Sequence, residues 1–222
     1  MLNCFAMDII YLGHSSFKLK GKTASIITDP FDSKFVGLKY PSTDADIVTI
    51  SHNHSDHNQS QLIKSVRMVV DGPGEYEISG ISIIGMPSFH DAKKGEERGG
   101  NTIYVFEIDG LRIAHLGDLG IELSDEQISQ LGNIDVLMIP VGGEYTIGPK
   151  EAVKVIGGVD PYFVIPMHYR VDGLGPEFSK LEPVETFLSE CGLTVERIDK
   201  FSLKKEDILE ESSTKVILLP QK

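Results

Sequence analysis

Hydrophobic residues are concentrated in short runs, rich in isoleucine and valine, that are separated by glycine, proline and charged residues. Several runs are almost continuously apolar, which is typical of strands that are covered on both faces. We therefore predict strands at DIIYLGHSSFKLK and ASIITDP, joined near Gly21, and then at DIVTIS, VRMVVDG, GISIIGMPSF, TIYVFEIDG, LRIAHLGD, DVLMIPVG, YFVIPM and KVILLP.

Helical patterns lie between the later strands. In SDEQISQL, Ser124 is followed three positions later by Gln127, which is the capping-box pattern of a helix N-terminus, and Gly132 is a suitable stop. The segments PKEAVKVIGG and PVETFLSECG each begin with proline, which suits the first helical turn, and each ends with glycine. Early hairpins followed by strand–helix alternation predict an α/β layered sandwich.

Size and charge restrict the domain count and the partners. The chain has 222 residues, of which 41% are hydrophobic, and it shows no break in composition. We therefore expect a single domain over residues 1–222, with 1–6 a dispensable extension if Met7 is the natural start. The net charge of −12 is spread along the chain. It disfavours binding to nucleic acid or to an anionic membrane, both of which require basic surface.

No segment has the pattern of an export signal or a membrane span. The N-terminus lacks a basic segment followed by a long apolar stretch, and no apolar run approaches the length of a spanning helix. The two cysteines, Cys4 and Cys191, are far apart, as is typical of reduced thiols. We therefore expect a cytoplasmic protein.

Three of the seven histidines lie in the segment SHNHSDH at residues 51–57. A protonated cluster would repel itself, whereas a bound metal favours neutral imidazoles beside an ionised carboxylate. Three further residues, His90, Asp118 and His168, each follow an apolar run, and loops at one edge of a sheet can assemble a site. The predicted metal ligands are His52, His54, Asp56, His57, His90, Asp118 and His168.

Seven candidate ligands exceed the requirement of one ion. A single catalytic zinc takes three protein ligands and a water molecule, whereas two ions with a shared carboxylate suit a larger set. We predict two divalent ions, with Zn²⁺ favoured, although Mn²⁺, Fe²⁺ or Ni²⁺ also suit a site of histidine and aspartate.

The order of these residues is similar to the HxHxDH and later single-residue motifs of the metallo-β-lactamase superfamily. The resemblance extends from GHSSF and TDP to PMHY. Within the superfamily, GHSSF, GPGEYEI, HLGD, PVGGEYTIGP and PMHY most resemble the small bacterial metal-dependent hydrolases related to ascorbate-6-phosphate lactonase. The resemblance implies an α/β fold, a four-layer αββα sandwich with the metal site at one rim of the sheets.

The resemblance also assigns the ligands. It implies that Asp118 bridges the two ions. The first ion would be bound by His52, His54 and His90, and the second by Asp56, His57 and His168. By the same resemblance, Asp29 in TDP supports the metal loop without being a ligand.

Two histidines outside this set need separate interpretation. His14 follows Gly13 in a segment that should end at the same rim, so support of the ligands and a simple structural role are equally open. His115 lies inside an apolar strand, which favours a hydrogen-bonded core histidine.

The implied activity is that of a metal-dependent hydrolase, in which a metal-activated hydroxide attacks a small ester, lactone or phosphodiester. Either Asp56 or Asp118 would pass a proton to the leaving group. Arg98 and Arg170 are candidates for binding an anionic group of the substrate. The charged loop at 91–100 is either a solvated connection or a flap over the site.

Two alternatives are a diiron redox protein and a metal-binding module without turnover, both on the same fold. The former typically has an acidic residue where this chain has His54. The partner would be a small molecule, with no nucleic acid and no membrane, and a homo-oligomer stays open.

Overall fold

The computed structural model describes residues 6–208 and 213–222. Residues 1–5, which include most of the predicted extension, lie outside the described residues. The strands are β1 (Met7–Gly13), β2 (Ser16–Lys20), β3 (Ser25–Thr28), β4 (Ile47–Thr49), β5 (Met68–Val70), β6 (Gly74–Ile78), β7 (Ile81–Phe89), β8 (Gly100–Ile108), β9 (Leu111–His115), β10 (Val136–Pro140), β11 (Phe163–Met167), β12 (Thr194–Arg197), β13 (Phe201–Leu203) and β14 (Lys215–Leu218). The α-helices are α1 (Ser33–Val36), α2 (Asp125–Leu131), α3 (Pro149–Val159) and α4 (Val184–Cys191), with 3-10 helices at Ser60–Leu62, Pro176–Phe178 and Lys205–Asp207.

The strands form two mixed sheets. A six-stranded sheet has the order β13-β1-β2-β3-β4-β5, and an eight-stranded sheet has the order β12-β14-β11-β10-β9-β8-β7-β6. In the first, β3, β4 and β5 are parallel and the other pairings are antiparallel. In the second, the pairings from β12 to β9 are parallel and those from β9 to β6 are antiparallel.

The main core lies between the sheets. Phe17 and Ile26 of the six-stranded sheet join Tyr104, Phe106 and Met138 of the eight-stranded sheet in one buried cluster. Burial of such side chains is the main favourable contribution to folding. The sheets are therefore held face to face by an apolar layer.

The outer faces of the two sheets are covered differently. Helices α2, α3 and α4 cover the eight-stranded sheet through a second apolar cluster that includes Leu131, Ala152 and Phe187. The six-stranded sheet is covered by Ile63, beside a 3-10 helix, and by Tyr40 from a connection. The predicted layered α/β fold is confirmed, and one outer layer consists mainly of connections.

The strand directions bring many carboxyl ends to one rim. β1, β3 and β4 run in the same direction in the first sheet, as do β7, β9 and β11 in the second. Hydrogen bonds join the sheets there, since the His168 amide donates to the His14 carbonyl at 3.0 Å and the Thr102 amide to the Ser51 carbonyl at 2.8 Å. Loops from both sheets therefore meet at this rim.

The structure corrects the first predicted strand. DIIYLGHSSFKLK forms two strands, β1 and β2, because the chain reverses at Gly13 and His14, whose φ angles are 110° and 55°. Strands β6, β12 and β13 were not predicted; they are short or carry mostly partly exposed side chains.

The helix predictions are confirmed in position, with one wrong end. The Ser124–Gln127 capping box opens α2, and Gly192 closes α4 in the left-handed conformation. Helix α3, however, continues past its two glycines to Val159 and ends at Asp160, whose φ is 50°. Proximity of glycine to a helix end therefore does not fix the last residue.

Candidate metal centre

The predicted ligands lie at the rim where the strands end. The 52–57 loop follows β4, while His90, Asp118 and His168 follow β7, β9 and β11. All of them are buried except His54, which is partly exposed. The structure therefore brings together all seven predicted ligands from four separate segments.

These residues form two separate groups, and a third set, His52, His57 and Asp118, shares one histidine with each of them. Within each group, one candidate ligand atom from every member lies within 4.8 Å of the others. The first group is His52, His54 and His90, and the second is Asp56, His57 and His168 together with His14. This is the division that the superfamily resemblance implies, with His14 as an additional member.

Asp118 lies between the two groups. Its Oδ2 is 3.3 Å from His90 Nε2 and 3.8 Å from His52 Nε2 in the first group. The same oxygen is 3.2 Å from His57 Nε2 and 3.4 Å from His168 Nε2 in the second. One carboxylate therefore contacts both groups, as a bridging ligand would.

The atoms that face this centre fit a bound cation. His52 Nε2, His57 Nε2, His168 Nε2 and Asp118 Oδ1 are buried and have no hydrogen-bond partner among the described residues. Buried polar atoms are normally paired, so unpaired atoms that converge on one point need an explanation. Imidazole nitrogens and carboxylate oxygens are ligands that zinc accepts. The residues present therefore fit divalent ions.

Two hydrogen bonds fix imidazoles for ligation. His57 Nδ1 lies 2.9 Å from Asp29 Oδ2, and His52 Nδ1 lies 2.9 Å from Ser51 Oγ. Because the Ser51 hydroxyl itself donates to Asp29 Oδ2 at 2.6 Å, it accepts from His52 Nδ1. Each Nε2 is thus left as a lone-pair donor that faces the centre.

At His52 and His168 the electrostatics favour neutral imidazoles, and at Asp118 they favour an ionised carboxylate. Burial lowers the pKa of His52 and of His168 to about 3. Burial alone would raise the pKa of Asp118, but the neighbouring His168 and His57 outweigh it and hold that pKa well below its usual range. These are the protonation states that metal ligation requires.

His57 shows where positive charge is favoured. Burial alone would lower its pKa, but the carboxylates of Asp118 and Asp56 outweigh burial and raise that pKa well above its usual value. A third carboxylate, Asp29, accepts a hydrogen bond from the same ring. Three carboxylates around one position create a demand for a cation.

His14 lies within the centre and contacts a candidate ligand directly. Its Nε2 is 3.2 Å from Asp56 Oδ2, and its ring is buried within the second group. His14, Asp29 and His168 all have positive φ angles, of 55°, 40° and 52°. Strained backbone of this kind is concentrated at functional sites.

His115 is placed in the core, as its apolar surroundings predict. Its Nε2 lies 2.8 Å from the Ser15 carbonyl oxygen, and its Nδ1 accepts from the Gly117 amide at 3.2 Å. Both ring nitrogens are therefore occupied by the backbone, and His115 supports the turn that carries Asp118.

Asn101 is a supporting residue that the sequence did not reveal. Its Oδ1 accepts from the Asp118 amide at 3.0 Å, and its Nδ2 donates to the Leu116 carbonyl at 2.9 Å. A Cβ on Gly117 would overlap both Asn101 and Ser51. The turn that presents Asp118 is therefore tightly packed from both sides.

A cleft of about 420 Å³ opens over the centre. Its walls include the candidate ligands His54, Asp56, His90 and Asp118, and the predicted substrate-binding residue Arg98. The remaining lining residues are Phe35, Asn53, Ser55, Tyr145, Glu177 and Phe178. This volume is in the range of small-molecule sites.

The 91–100 loop is internally organised. The Asp91 carboxylate accepts hydrogen bonds from the amides of Lys93, Gly95, Glu97 and Arg98, at 2.8–3.1 Å. Burial raises the pKa of Asp91, but these four bonds outweigh it and lower that pKa. The loop therefore holds Arg98 at the edge of the cleft.

The structure does not bring Arg170, the other predicted substrate-binding residue, to the cleft. Its amide donates to the Glu182 carbonyl at 2.9 Å, its side chain is exposed, and it is not among the residues that line the cleft. The chain turns at His168, whose φ is 52°, and Tyr169 then stacks on Tyr11 with ring centroids 6.5 Å apart.

Comparisons with known proteins agree with this fold and site. The profile of the beta-lactamase superfamily domain matches residues 8–168. A candidate Zn-dependent hydrolase of the metallo-β-lactamase superfamily from Thermotoga maritima has a similar structure, with 38% identity and a TM-score of 0.77 over 96% of this chain and all of that one. Igni18, a metallo hydrolase of Ignicoccus hospitalis, shares the fold at 21% identity, with a TM-score of 0.66 over 90% of this chain and 99% of its own.

Fold, centre and profile together define a protein of the metallo-β-lactamase superfamily. A UPF0173 metal-dependent hydrolase of Thermococcus onnurineus is 32% identical, in an alignment that covers 73% of this chain and 84% of that protein. The chain belongs to this family of metal-dependent hydrolases. The predicted enzyme class is confirmed.

No helix among the described residues is long and apolar enough to cross a membrane.

Proposed function

We propose that the chain hydrolyses a small ester, lactone or phosphodiester at a centre of two divalent ions, with zinc favoured. The observation that carries the proposal is the position of Asp118, whose Oδ2 lies between two groups of candidate ligands beneath an open cleft. A shared carboxylate is the usual feature of two-ion hydrolytic centres.

When bound, such ions lower the pKa of a water molecule and stabilise the negative charge that develops on the substrate. The protein residues have separate tasks. Asp56 and Asp118 both line the cleft and can hold the proton that passes to the leaving group. The Asp56 side chain is the more exposed, at 11% against 2% for Asp118, so it is better placed to reach a leaving group.

Arg98 supports an anionic substrate. It lines the cleft, its backbone is held by Asp91, and its guanidinium lies 4.4 Å from the Tyr145 ring centroid. A negative group on the substrate, remote from the bond that is cleaved, would bind there. The resemblance to relatives of ascorbate-6-phosphate lactonase suggests one combination of both features, a lactone bond with a remote phosphate, whatever the rest of the substrate.

The direct test is a screen of the metal-loaded protein against lactones, carboxylic esters, thioesters and phosphodiesters, each with and without a remote anionic group. We expect turnover of at least one small class and none of structured RNA. Arg98→Ala should raise KM for the anionic members more than it lowers kcat, since remote contacts contribute mainly uniform binding.

Arg170→Ala is the matched control, because Arg170 is an exposed arginine outside the cleft. It should leave both constants unchanged. Hydrolysis of RNA far above any small ester would contradict the proposal, as would the absence of metal-dependent turnover throughout the screen.

A further inference from the structure

One wall of the cleft is aromatic. Phe35, Tyr145 and Phe178 all line it, and they come from α1, from the β10–α3 connection and from a 3-10 helix. We call these three residues the aromatic wall. Their convergence from three distant segments means that the wall is a product of the tertiary fold.

The aromatic wall runs from the candidate metal centre to the surface. Phe178 is 2% exposed, and its ring centroid lies 4.9 Å from that of His14 and 6.3 Å from that of His168. The rings of Phe35 and Tyr145 both pack nearly perpendicular to the Phe178 ring. Their centroids lie 5.6 Å and 6.4 Å, respectively, from that of Phe178. Phe35 itself is 43% exposed. An apolar path therefore connects solvent to the second ligand group.

The wall is held in place by its backbone. The Tyr145 hydroxyl donates to the Glu177 carbonyl at 2.7 Å, and the Gly175 amide donates to the Val36 carbonyl at 2.8 Å. Gly37, whose φ is 89°, allows this contact, because a Cβ there would overlap the 173–175 backbone. The backbone that carries Phe35 is therefore fixed, and its ring packs on Phe178, which limits the entropy lost when a ligand binds.

Among the described residues that line the cleft, Arg98 is the one lysine or arginine. The Arg98 guanidinium stacks over Tyr145 at 4.4 Å, and no ion pair joins it to a carboxylate among the described residues. Arg67 and Arg112, in contrast, are each paired with an acidic side chain. An unpaired cation next to an apolar surface matches a ligand that has both an apolar and an anionic part.

We propose, on the basis of the hydrolase function above, that the substrate carries an aryl or similarly flat apolar group that packs on the exposed ring of Phe35, which itself rests on Phe178. Its anionic group then binds Arg98 or the ions. The wall selects this class against small, fully polar substrates, which leave its apolar surface in contact with water.

The test uses the metal-loaded full chain and two nonhydrolysable probes, phenylphosphonate and methylphosphonate, whose dissociation constants are measured by titration calorimetry. We expect phenylphosphonate to bind at least about tenfold more tightly than methylphosphonate, because burial of the phenyl ring should lower the dissociation constant by at least that factor. Phe35→Ala should remove most of this preference and leave the affinity for methylphosphonate unchanged.

Leu62→Ala is the matched control, since Leu62 is 44% exposed and lies outside the cleft. It should keep the full preference, and thermal unfolding confirms that both variants fold. Equal affinity of the native protein for the two probes, or no binding of either, overturns the aromatic wall as a subsite. A phenyl preference without turnover in the ester screen would instead contradict the hydrolase function and retain the subsite.

Discussion

The carboxylate of Asp118 lies within contact distance of both groups of candidate ligands. Asp118→Asn keeps the size of the side chain and removes the charge that would bridge two cations, so metal content and hydrolysis should both collapse. We expect a loss in kcat/KM greater than about 100-fold, the upper end for residues that only support ligands. Elemental analysis and kinetics on an ester found in the screen would measure it.

Asp135→Asn is the control for this charge. Asp135 is also buried, but it pairs with Lys205 away from the centre. Its variant should lose stability and retain metal. An Asp118→Asn protein with native metal content and native turnover would exclude a bridging role.

Asp29 should act on the ions through its neighbours. It accepts hydrogen bonds from His57, from the Ser51 hydroxyl and from the Ser51 amide. Asp29→Ala should therefore weaken metal affinity by about 10–100-fold, the usual effect of losing such a partner. Competition with a metal-binding dye would measure the affinity.

The comparison variant is Asp46→Ala, which removes a carboxylate that accepts from Ser25 at a distance from the centre. It should lower the thermal unfolding temperature without changing metal affinity. Native metal affinity in Asp29→Ala, together with lower stability, would make Asp29 a purely structural residue.

Residues with strong chemical preferences were predictable from sequence, whereas of their supports only Asp29 was assigned, through the family resemblance. The HNHSDH segment is conspicuous because it holds three of the seven histidines, and His90, Asp118 and His168 each follow an apolar run. Ser51, Asn101 and Phe178 belong to common residue types, and only the fold brings them to the centre. Arg170 shows the converse, since closeness in sequence to His168 did not place it in the cleft.

At the scale of elements, Asp91 makes the 91–100 loop a structured support for Arg98. Asp91→Asn would replace one carboxylate oxygen by an NH₂ group, which cannot accept from the amides that bond there. Two loop hydrogen bonds are then lost, and Arg98 is held less firmly. We expect KM for an anionic ester to rise roughly 3–10-fold, the effect of weakening about one contact between Arg98 and the substrate, with a smaller effect on kcat. Hydrogen exchange should accelerate within the loop.

Lys93→Ala is the control within the same loop. It removes an exposed ion pair with Glu97, which contributes little to stability. Unchanged kinetics in Asp91→Asn would show that the loop does not position Arg98.

Apolar strands were predictable because a strand that is buried on both faces has a continuous run of apolar residues in its sequence. Strand β10, all of whose residues are buried, is an example. Strand β6 pairs with β7 although its residues are partly or fully exposed, so its pattern resembles a loop. The reversal at Gly13 and His14 was missed because a histidine with positive φ has no reliable signature in sequence.

For the whole molecule, the two ligand groups predict two metal equivalents per chain. Elemental analysis after mild reconstitution should approach that value, and His54→Ala and His57→Ala should each lose metal from a different group. His115→Ala should keep its metal, because the His115 ring bonds only to backbone. A firm plateau at one equivalent in the native protein would leave a mononuclear centre.

The candidate ligands follow strands of both sheets, so ions that bind them also hold the two sheets together. Ion binding and the packing of one sheet on the other are therefore thermodynamically linked. A ligand that binds only the native state at a hundredfold excess over its Kd stabilises it by about 2.7 kcal/mol. The stabilisation acts on both sheets, because β4 leads to His52 and β9 leads to Asp118. Chelation should therefore loosen the rim ends of both sheets together, and amides on either side should exchange at a common, faster rate.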